Sequence, residues 1–166
     1  MSQARITVDI VERAIQRDQY EDHLSHPDVG AHAWFLGVTR RTTEGKITET
    51  LFYQAHREMA MRQMQKLATE AAQRFSLSAV VLVHRLGEVR VGEVSVMVGV
   101  CSGHRPESFT ALPWIMDRLK KDVPIWKQEC DEQGQRHWVH PDGVDQGLDS
   151  SSEDPAGNEL IERKKG

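Results

Sequence analysis

The period of the hydrophobic pattern changes along the chain, and each change marks a predicted element. Residues 5–10, RITVDI, alternate apolar and polar positions as a half-buried strand does. A short, weakly helical stretch follows as far as His26–Pro27. Residues 30–40, GAHAWFLGVTR, alternate again and predict a second strand. Its two faces carry different side chains: Ala31, Ala33, Phe35 and Gly37 on one, and His32, Trp34, Leu36 and Val38 on the other.

Further strands are predicted from apolar runs bounded by turn residues. The segment RTTEGK has turn chemistry, so residues 47–55, ITETLFYQA, are predicted to return as the second strand of a hairpin with residues 30–40. The valine-rich runs at residues 77–89 and 92–102 are short and bounded by glycines, which favours strands. Two short closing strands are predicted at VPIWKQEC and RHWVH.

Two segments change to a helical period. Residues 58–75 place apolar side chains at three- and four-residue steps. Residues 103–122 predict a second helix, because Pro106 suits a first helical position and Glu107 favours the positive end of the helix dipole. Pro113 inside this helix predicts a kink. The predicted buried stripes are Ala60, Met64, Leu67, Ala71 and Phe75, then Phe109, Leu112, Ile115, Met116 and Leu119. The predicted class is α+β, a mainly antiparallel sheet with two principal helices packed on it.

Length and composition fit one globular domain. The chain has 166 residues, a length at which a domain buries most of its apolar surface. Its residues are 39% hydrophobic and 28% charged, which is ordinary for a globular protein. The domain is predicted at residues 1–140, and residues 141–166 are predicted to be a disordered tail rich in Gly, Ser, Asp and Pro. No apolar run is long enough to span a membrane, and the N-terminus lacks an apolar signal core. A cytosolic protein is therefore expected.

The formal net charge of −4 is concentrated in the C-terminal segment. From His140 onward there are seven acidic and three basic residues, which leaves 18 of each sign in the rest of the chain. A neutral body produces no overall positive field, so the chain is not predicted to be a general nucleic-acid binder. Any anion site must be a local cluster of cations.

Cations are predicted to cluster at three places. His104 and Arg105 stand between a strand and a helix, where backbone N–H groups and the helix dipole favour anions; alternatively they only cap the helix and pair with Glu107. Lys120 and Lys127 lie on either side of a Pro-Ile-Trp corner, where a partly buried lysine can act as an acid, a base or a nucleophile. Both lysines could instead be ordinary surface residues. Arg40 ends the strand FLGVTR and could point back over the sheet.

Other chemistry is weakly represented. The chain shows no Ser-His-Asp set, paired-carboxylate signature or metal-ligand pattern, so no metal or cofactor is expected. Cys101 and Cys130 form no CxxC pair, and they are interpreted as inert thiols, with a disulfide or a sulfur-carrying persulfide as the alternatives.

The segments FLGVTR, VHRLGEVRVGEVSV, SGHRPESF, IMDRLKKDVPIWKQE and HWV, in this order from Gly30 to Val139, resemble the catalytic (large) subunit of molybdopterin synthase, the MoaE-like family. The resemblance implies an α/β-hammerhead-like fold. It also implies an enzyme that converts cyclic pyranopterin monophosphate into molybdopterin by installing two dithiolene sulfurs. The sulfur would arrive on the C-terminal Gly-Gly thiocarboxylate of a small ubiquitin-like subunit. The expected assembly is a central homodimer with one small subunit at each end, whose active site could draw on both large chains.

The resemblance also assigns residues. Lys120 and Lys127 match the two active-site lysines of the family, with general acid–base catalysis or binding of the tail carboxyl group as their expected roles. The expected substrate contacts are Val38, Thr39, Arg40, His104, Arg105, Lys120, Lys127, Gln128 and Glu129.

The chain departs from the family pattern at a few positions. It has YQAH where the family often has YEAY, so Gln54 and His56 replace an acid and an aromatic residue, and His140 follows the closing WV. None of these changes removes a predicted site cation. The competing hypotheses are a noncatalytic scaffold that retains the fold and the anion pocket, a sulfurtransferase working through a cysteine, and a phosphate- or RNA-binding protein.

Overall fold

The computed structural model describes residues 3–43 and 45–139, without the side chain of Thr43. The predicted tail, residues 141–166, lies outside the described residues. Over the described ranges the elements are β1 (Arg5–Val11), a 3-10 helix (Arg17–Leu24), β2 (Ala31–Val38), β3 (Thr42–Thr43), β4 (Lys46–Ile47), β5 (Thr50–Ala55), α1 (Arg57–Arg74), β6 (Ala79–Arg85), β7 (Gly87–Arg90), β8 (Val94–Ser102), α2 (Arg105–Asp122), β9 (Ile125–Cys130) and β10 (Arg136–Val139). None of these helices is long and apolar enough to cross a membrane.

The first sheet has the strand order β1-β6-β8-β2. β1 runs parallel to β6, and the other neighbours are antiparallel. The valine-rich strands β6 and β8 are central and buried on both faces, which explains their nearly continuous apolar pattern. One face packs against α1 and α2, and the other packs against the 3-10 helix. The α+β class predicted from the sequence is confirmed.

The second sheet has the strand order β10-β9-β5-β7 and is antiparallel throughout. The predicted hairpin between residues 30–40 and 47–55 is therefore wrong, because β2 pairs with β8 whereas β5 pairs with β7 and β9. The segment between them is a separate small hairpin of β3 and β4. This small hairpin connects β2 in the first sheet to β5 in the second sheet, and the two long strands do not pair with each other.

The predicted strand at residues 77–89 is divided between the two sheets. β6 ends at Arg85, and β7 begins at Gly87 in the second sheet. Gly87 has φ of 81°, in the left-handed region that glycine adopts at little cost. Gly92, with φ of 86°, lies in the turn that returns the chain to β8. The chain therefore leaves the first sheet at Gly87, forms β7 in the second sheet, and returns to the first sheet after Gly92.

Helix α1 agrees with its prediction. Ala60, Met64, Leu67 and Ala71 are buried, and Phe75 is partly buried at the C-cap. The ring of His56 accepts a hydrogen bond from the backbone N–H of Met59 at 3.3 Å. This variant residue therefore has a local role as the N-cap of the helix.

Helix α2 agrees in extent but not in its full buried stripe. It continues through Pro113, and Ile115 and Leu119 are buried as predicted. Phe109, which was predicted to be buried, is 63% exposed. The buried stripe instead begins with Ser108 and Ala111. Phe109 follows Ser108 by one residue, about 100° further around the helix, so its side chain points away from the core. Ser108 is tolerated in the core because its hydroxyl lies 2.5 Å from that of Ser102.

We expect Gly99→Ala to destabilise the fold, because the new Cβ would lie 2.6 Å from Cε3 of Trp34, the cross-strand neighbour of Gly99. Overpacking of this kind costs about 1–3 kcal/mol, measurable as a lower urea midpoint. Gly103→Ala is the control, since its Cβ would meet only the carbonyl oxygen of Asp28, at an ordinary contact distance of 3.9 Å. Equal stability of the two variants would contradict the expectation.

Candidate active site

The link between α2 and β9 places Lys120 and Lys127 on either side of one corner. Lys120 is exposed in the last turn of α2, where a cation complements the negative end of the helix dipole. Lys127 is the third residue of β9, and its side chain is 33% exposed. Val123 between them is buried, and its N–H donates to the carbonyl of Leu119 at 3.2 Å. The corner expected from the sequence is therefore present, and the buried Val123 anchors it in the core.

Lys127 has an acidic partner on its own strand. Its Nζ lies 3.4 Å from Oε1 of Glu129, two residues along the same face of β9. Gln128 lies on the opposite face, with Phe52 and Trp138 as its cross-strand neighbours. The structure therefore brings Glu129 to Lys127 and directs Gln128 away from both.

A polar cluster lies next to this lysine, and sequence reasoning missed it. Tyr53 faces Lys127 across the β5–β9 ladder, and its ring contacts the ring of His84 edge-on with 5.0 Å between centroids. Burial raises the pKa of Tyr53, and the charge of Glu129 adds to the rise, whereas a hydrogen bond with Ser95 opposes it. One signal was available in the sequence: His84 and Ser95 are polar residues inside valine-rich strands.

His84 is the most perturbed titratable group near the site. It is 6% exposed, and burial lowers its pKa to about 4. Its Nδ1 lies 2.9 Å from the carbonyl oxygen of Arg85, so the neutral ring donates Nδ1–H to that oxygen. At neutral pH His84 therefore adds a polar but uncharged ring to the cluster.

The end of β2 lies close to this cluster. The hydroxyl of Ser95 donates to the carbonyl of Gly37 at 3.2 Å, next to a bulge between Gly37 and Val38. Val38 and Arg40 are exposed, whereas Thr39 is buried. The N–H of Thr39 donates to the carbonyl of Glu93 at 3.0 Å, which holds the strand end in place. Val38, Thr39 and Arg40 thus lie at the same end of the first sheet as Tyr53.

His104 and Arg105 form the start of α2. His104 is the N-cap residue, and Arg105 begins the helix; both side chains are exposed. Together with Gly30, Gly103 and Pro106 they line an open depression of about 560 Å³. Arg105 forms no ion pair with any residue in the part of the chain that the structure describes, so the alternative of a pair with Glu107 is not realised.

Within one chain, the His104–Arg105 corner and the two lysines lie at opposite ends of the molecule. In the β2–β8 ladder Ala31 faces Ser102 at one end, and Val38 faces Val94 at the other. Eight strand residues at about 3.3 Å each separate these ends by roughly 25 Å. The 18 residues of α2 pack along the same strands and cover a similar length, about 27 Å, back towards Lys120.

Comparison with known proteins gives a family. The MoaE protein family model matches residues 10–122. The molybdopterin synthase catalytic subunit of Pyrococcus abyssi is 39% identical over 119 residues, which are 72% of this chain and 80% of that protein. This chain belongs to the MoaE family.

Solved structures of the MoaE fold agree. The crystal structure of molybdopterin synthase from Staphylococcus aureus superposes with a TM-score of 0.72 at 30% identity, covering 83% of this chain and 97% of that one. A complex of subunits 1 and 2 of molybdopterin-converting factor from Helicobacter pylori shares the fold with a TM-score of 0.66 at 18% identity, covering 79% of this chain and 88% of that one. The resemblance to the MoaE family and the assignment as a molybdopterin synthase catalytic subunit, expected from the sequence, are confirmed by the family model and these relatives.

The cysteine-based alternative finds little support in this MoaE member. Cys101 is buried in β8, and burial raises the pKa of its thiol, which disfavours the reactive thiolate. Cys130 is partly buried at the end of β9. Neither cysteine lies in a disulfide. Among the described residues, no group of three or more His, Cys, Asp or Glu side chains could hold a metal ion.

The low pKa of His84 predicts a pH-dependent stability. Between about pH 6.5 and pH 4 the unfolded chain binds a proton at this ring that the folded protein does not. The free energy of unfolding is therefore highest above pH 6.5, as far as His84 is concerned, and it falls on acidification. The loss attributable to His84 reaches about 3 kcal/mol below pH 4, and most of it is already present at pH 4.5. Urea unfolding at pH 7 and pH 4.5 measures it, and His84→Gln should reduce the difference between the two pH values. An unchanged difference in the variant would show that other groups cause the loss.

Proposed function

We propose that this chain transfers sulfur from the thiocarboxylated C-terminus of a small ubiquitin-like subunit to cyclic pyranopterin monophosphate, forming the dithiolene of molybdopterin. The observation that carries the proposal is the corner that anchors Lys120 and Lys127 at the end of the sheet where Arg40 emerges. The proposed working unit is the domain at residues 1–140, acting in the cytosol.

The charges at this corner suit both reactants. The substrate carries a phosphate, and the small subunit would present a carboxyl-derived terminus, so both bring negative charge. Lys120, Lys127 and Arg40 would offset these charges, and the partly buried Lys127 would do so where electrostatic interactions are stronger than in water. One lysine would donate or accept the proton that moves when the cyclic phosphate opens and sulfur adds. Arg40 would hold the phosphate through its planar guanidinium.

We infer that a second copy of the chain completes the site. His104 and Arg105 suit a phosphate or pterin contact, but roughly 25 Å of β-sheet separates them from the lysines of the same chain. A homodimer resolves this separation if the start of α2 in one chain lies beside the lysine corner of its partner.

The edge of the first sheet is the surface that would do this. β2 is a terminal strand of the sheet, and Phe35, Leu36 and Val38 expose 38%, 37% and 47% of their area. Unpaired strand edges with apolar side chains favour pairing with another chain. Two β2 strands related by a two-fold axis would run antiparallel, so the Ala31 end of each meets the Val38 end of the other. That arrangement brings His104 and Arg105 of one chain to Arg40 of its partner.

A small sulfur-carrying subunit is the proposed partner at the lysine corner. The Helicobacter pylori structure, which shares this fold, is a complex of subunits 1 and 2 of molybdopterin-converting factor. An extended C-terminal tail of the small subunit can reach Lys127, because one-third of the lysine side chain is exposed.

We expect Lys120→Ala and Lys127→Ala to lower product formation by roughly 100-fold or more, because each removes acid–base or electrostatic catalysis. The assay follows dithiolene product from thiocarboxylated small subunit and cyclic pyranopterin monophosphate. Lys121→Ala is the matched control, since Lys121 is an exposed lysine beside Lys120 in the same helical turn. Wild-type chain that binds the small subunit without making product would favour the noncatalytic scaffold.

The two-chain site predicts complementation. Lys127→Ala and Arg105→Ala chains should each be inactive alone, whereas mixed dimers carry one site with neither substitution. Random mixing makes half of the dimers mixed, with one of two sites intact, so we expect about a quarter of wild-type activity. Co-refolded chains with two different affinity tags provide the measurement. No recovery in isolated mixed dimers would place both residues in one chain's site or show that they act separately.

A further inference from the structure

The end of the central strand β6 carries a charged side chain that is mostly buried. Arg85 exposes 12% of its side chain, and its Nη1 donates to Oε2 of Glu93 at 3.0 Å. Its Nε has no hydrogen-bond partner among the residues that the structure describes. A partly satisfied guanidinium in the interior costs free energy, and an apolar side chain could fill the same space. The pair of Arg85 and Glu93 therefore indicates a requirement beyond packing.

Glu93 fastens the turn between β7 and β8. Its Oε2 also accepts a hydrogen bond from the backbone N–H of Arg90 at 2.9 Å, and the N–H of Glu93 donates to the carbonyl of Arg90 at 3.0 Å. The bond from the Arg90 N–H lowers the pKa of the Glu93 carboxyl, and the charge of Arg85 lowers it further. The ionised carboxylate thus ties both ends of the turn to each other and to the end of β6.

The same turn holds the residues that follow β2. The N–H of Thr39 donates to the carbonyl of Glu93 at 3.0 Å, and the N–H of Gly92 donates to the carbonyl of Thr39 at 2.9 Å. Because β2 ends at Val38, this reciprocal pair of bonds continues the attachment beyond the regular ladder. Arg40 is the next residue, and its side chain is exposed. The direction in which its guanidinium leaves the fold therefore depends on the turn.

We propose that Arg85, acting through Glu93, is a positioning residue that holds the Thr39–Arg40 end of β2 in the candidate site. The proposal rests on the proposed function for its effect on catalysis. In this role Arg85 touches neither reactant. It connects the turn to β6, a strand that is paired on both sides and is therefore a rigid support. Small misplacements of a substrate-binding group lower rates strongly, by up to about 100-fold for 1 Å.

The test is a double-mutant cycle between Arg85→Met and Arg40→Ala in the complete synthase with the small subunit. Methionine fills much of the space of the arginine stem and removes the donor to Glu93. We expect Arg85→Met alone to lower kcat/KM for cyclic pyranopterin monophosphate roughly 10-fold, with the KM for the small subunit changed less than about twofold.

The second arm of the cycle decides whether Arg85 acts through the strand end. In chains that already carry Arg40→Ala, Arg85→Met should cause almost no further loss, because the group that it positions is gone. Single-turnover assays with excess synthase keep the slow variants measurable. Losses that multiply in the double variant would overturn the proposal.

Arg90→Ala is the matched control. It removes an arginine from an ion pair in the same turn, since Nε of Arg90 lies 3.1 Å from Oε1 of Glu88. It changes the net charge as Arg85→Met does, but it keeps the backbone N–H that donates to Glu93. Its kcat/KM should stay at the wild-type value. Equal losses in Arg90→Ala and Arg85→Met would show a general effect of charge and would overturn the proposal.

Glu93→Ala breaks the same attachment from the side of the turn. The Glu93 side chain is 37% exposed, so this variant keeps the test available if Arg85→Met does not fold. We expect the same loss of roughly 10-fold in kcat/KM for the pterin substrate. A wild-type value in folded Glu93→Ala would contradict the proposal.

Amide hydrogen exchange gives a readout that does not depend on activity. We expect Arg85→Met to speed exchange of the Thr39 and Gly92 N–H groups about 10-fold or more, beyond any change at the buried Val98, and Arg90→Ala to leave it unchanged. If the wild type makes no product, the proposed function fails, while these exchange rates still decide the positioning role. Unchanged exchange in Arg85→Met, or an equal acceleration at Val98, would refute it.

Discussion

β6 and β8 pair antiparallel in the middle of the first sheet, and both of their faces are covered. This buried pair determines where everything else can lie. Helices α1 and α2 must pack on one face to bury their apolar stripes, and the 3-10 helix closes the other. Because α2 follows β8 and runs back along it, its first residues and its last residues lie at opposite ends of the strands. The cations at the two ends of this helix are separated by the same geometry that stabilises the core.

The second sheet brings a charged lysine next to the buried pair without burying the charge. Lys127 keeps a third of its side chain in contact with solvent and has Glu129 beside it. The groups between it and the first sheet, Tyr53 and Ser95, are polar but neutral at pH 7. A neutral layer avoids the large free-energy cost of an unpaired charge in the core.

Local patterns predicted the parts of this structure that depend on local interactions. The period of α1, the start of α2 at His104–Arg105 and the Lys120–Lys127 corner depend on residues close in sequence, and all three agree with the structure. The partner of β2 depends on long-range pairing. The turn chemistry of RTTEGK therefore predicted the wrong partner for β2, which pairs with β8. Phe109 was misplaced because Ser108 is buried through its hydroxyl contact with Ser102, which a hydrophobic pattern does not reveal.

The site residues show the same division. Each cation could be found singly from its place at a strand end or a helix end, whereas the contacts of Tyr53 with His84 and of Ser95 with Gly37 join strands distant in sequence. The separation of these cations within one chain also determines which of them can act in the same site. In one chain the sheet holds His104 and Arg105 away from the lysines, and no side-chain rotation spans roughly 25 Å. A site that uses all of them requires two copies, and the exposed edge of β2 is where a two-fold axis would bring the opposite ends together.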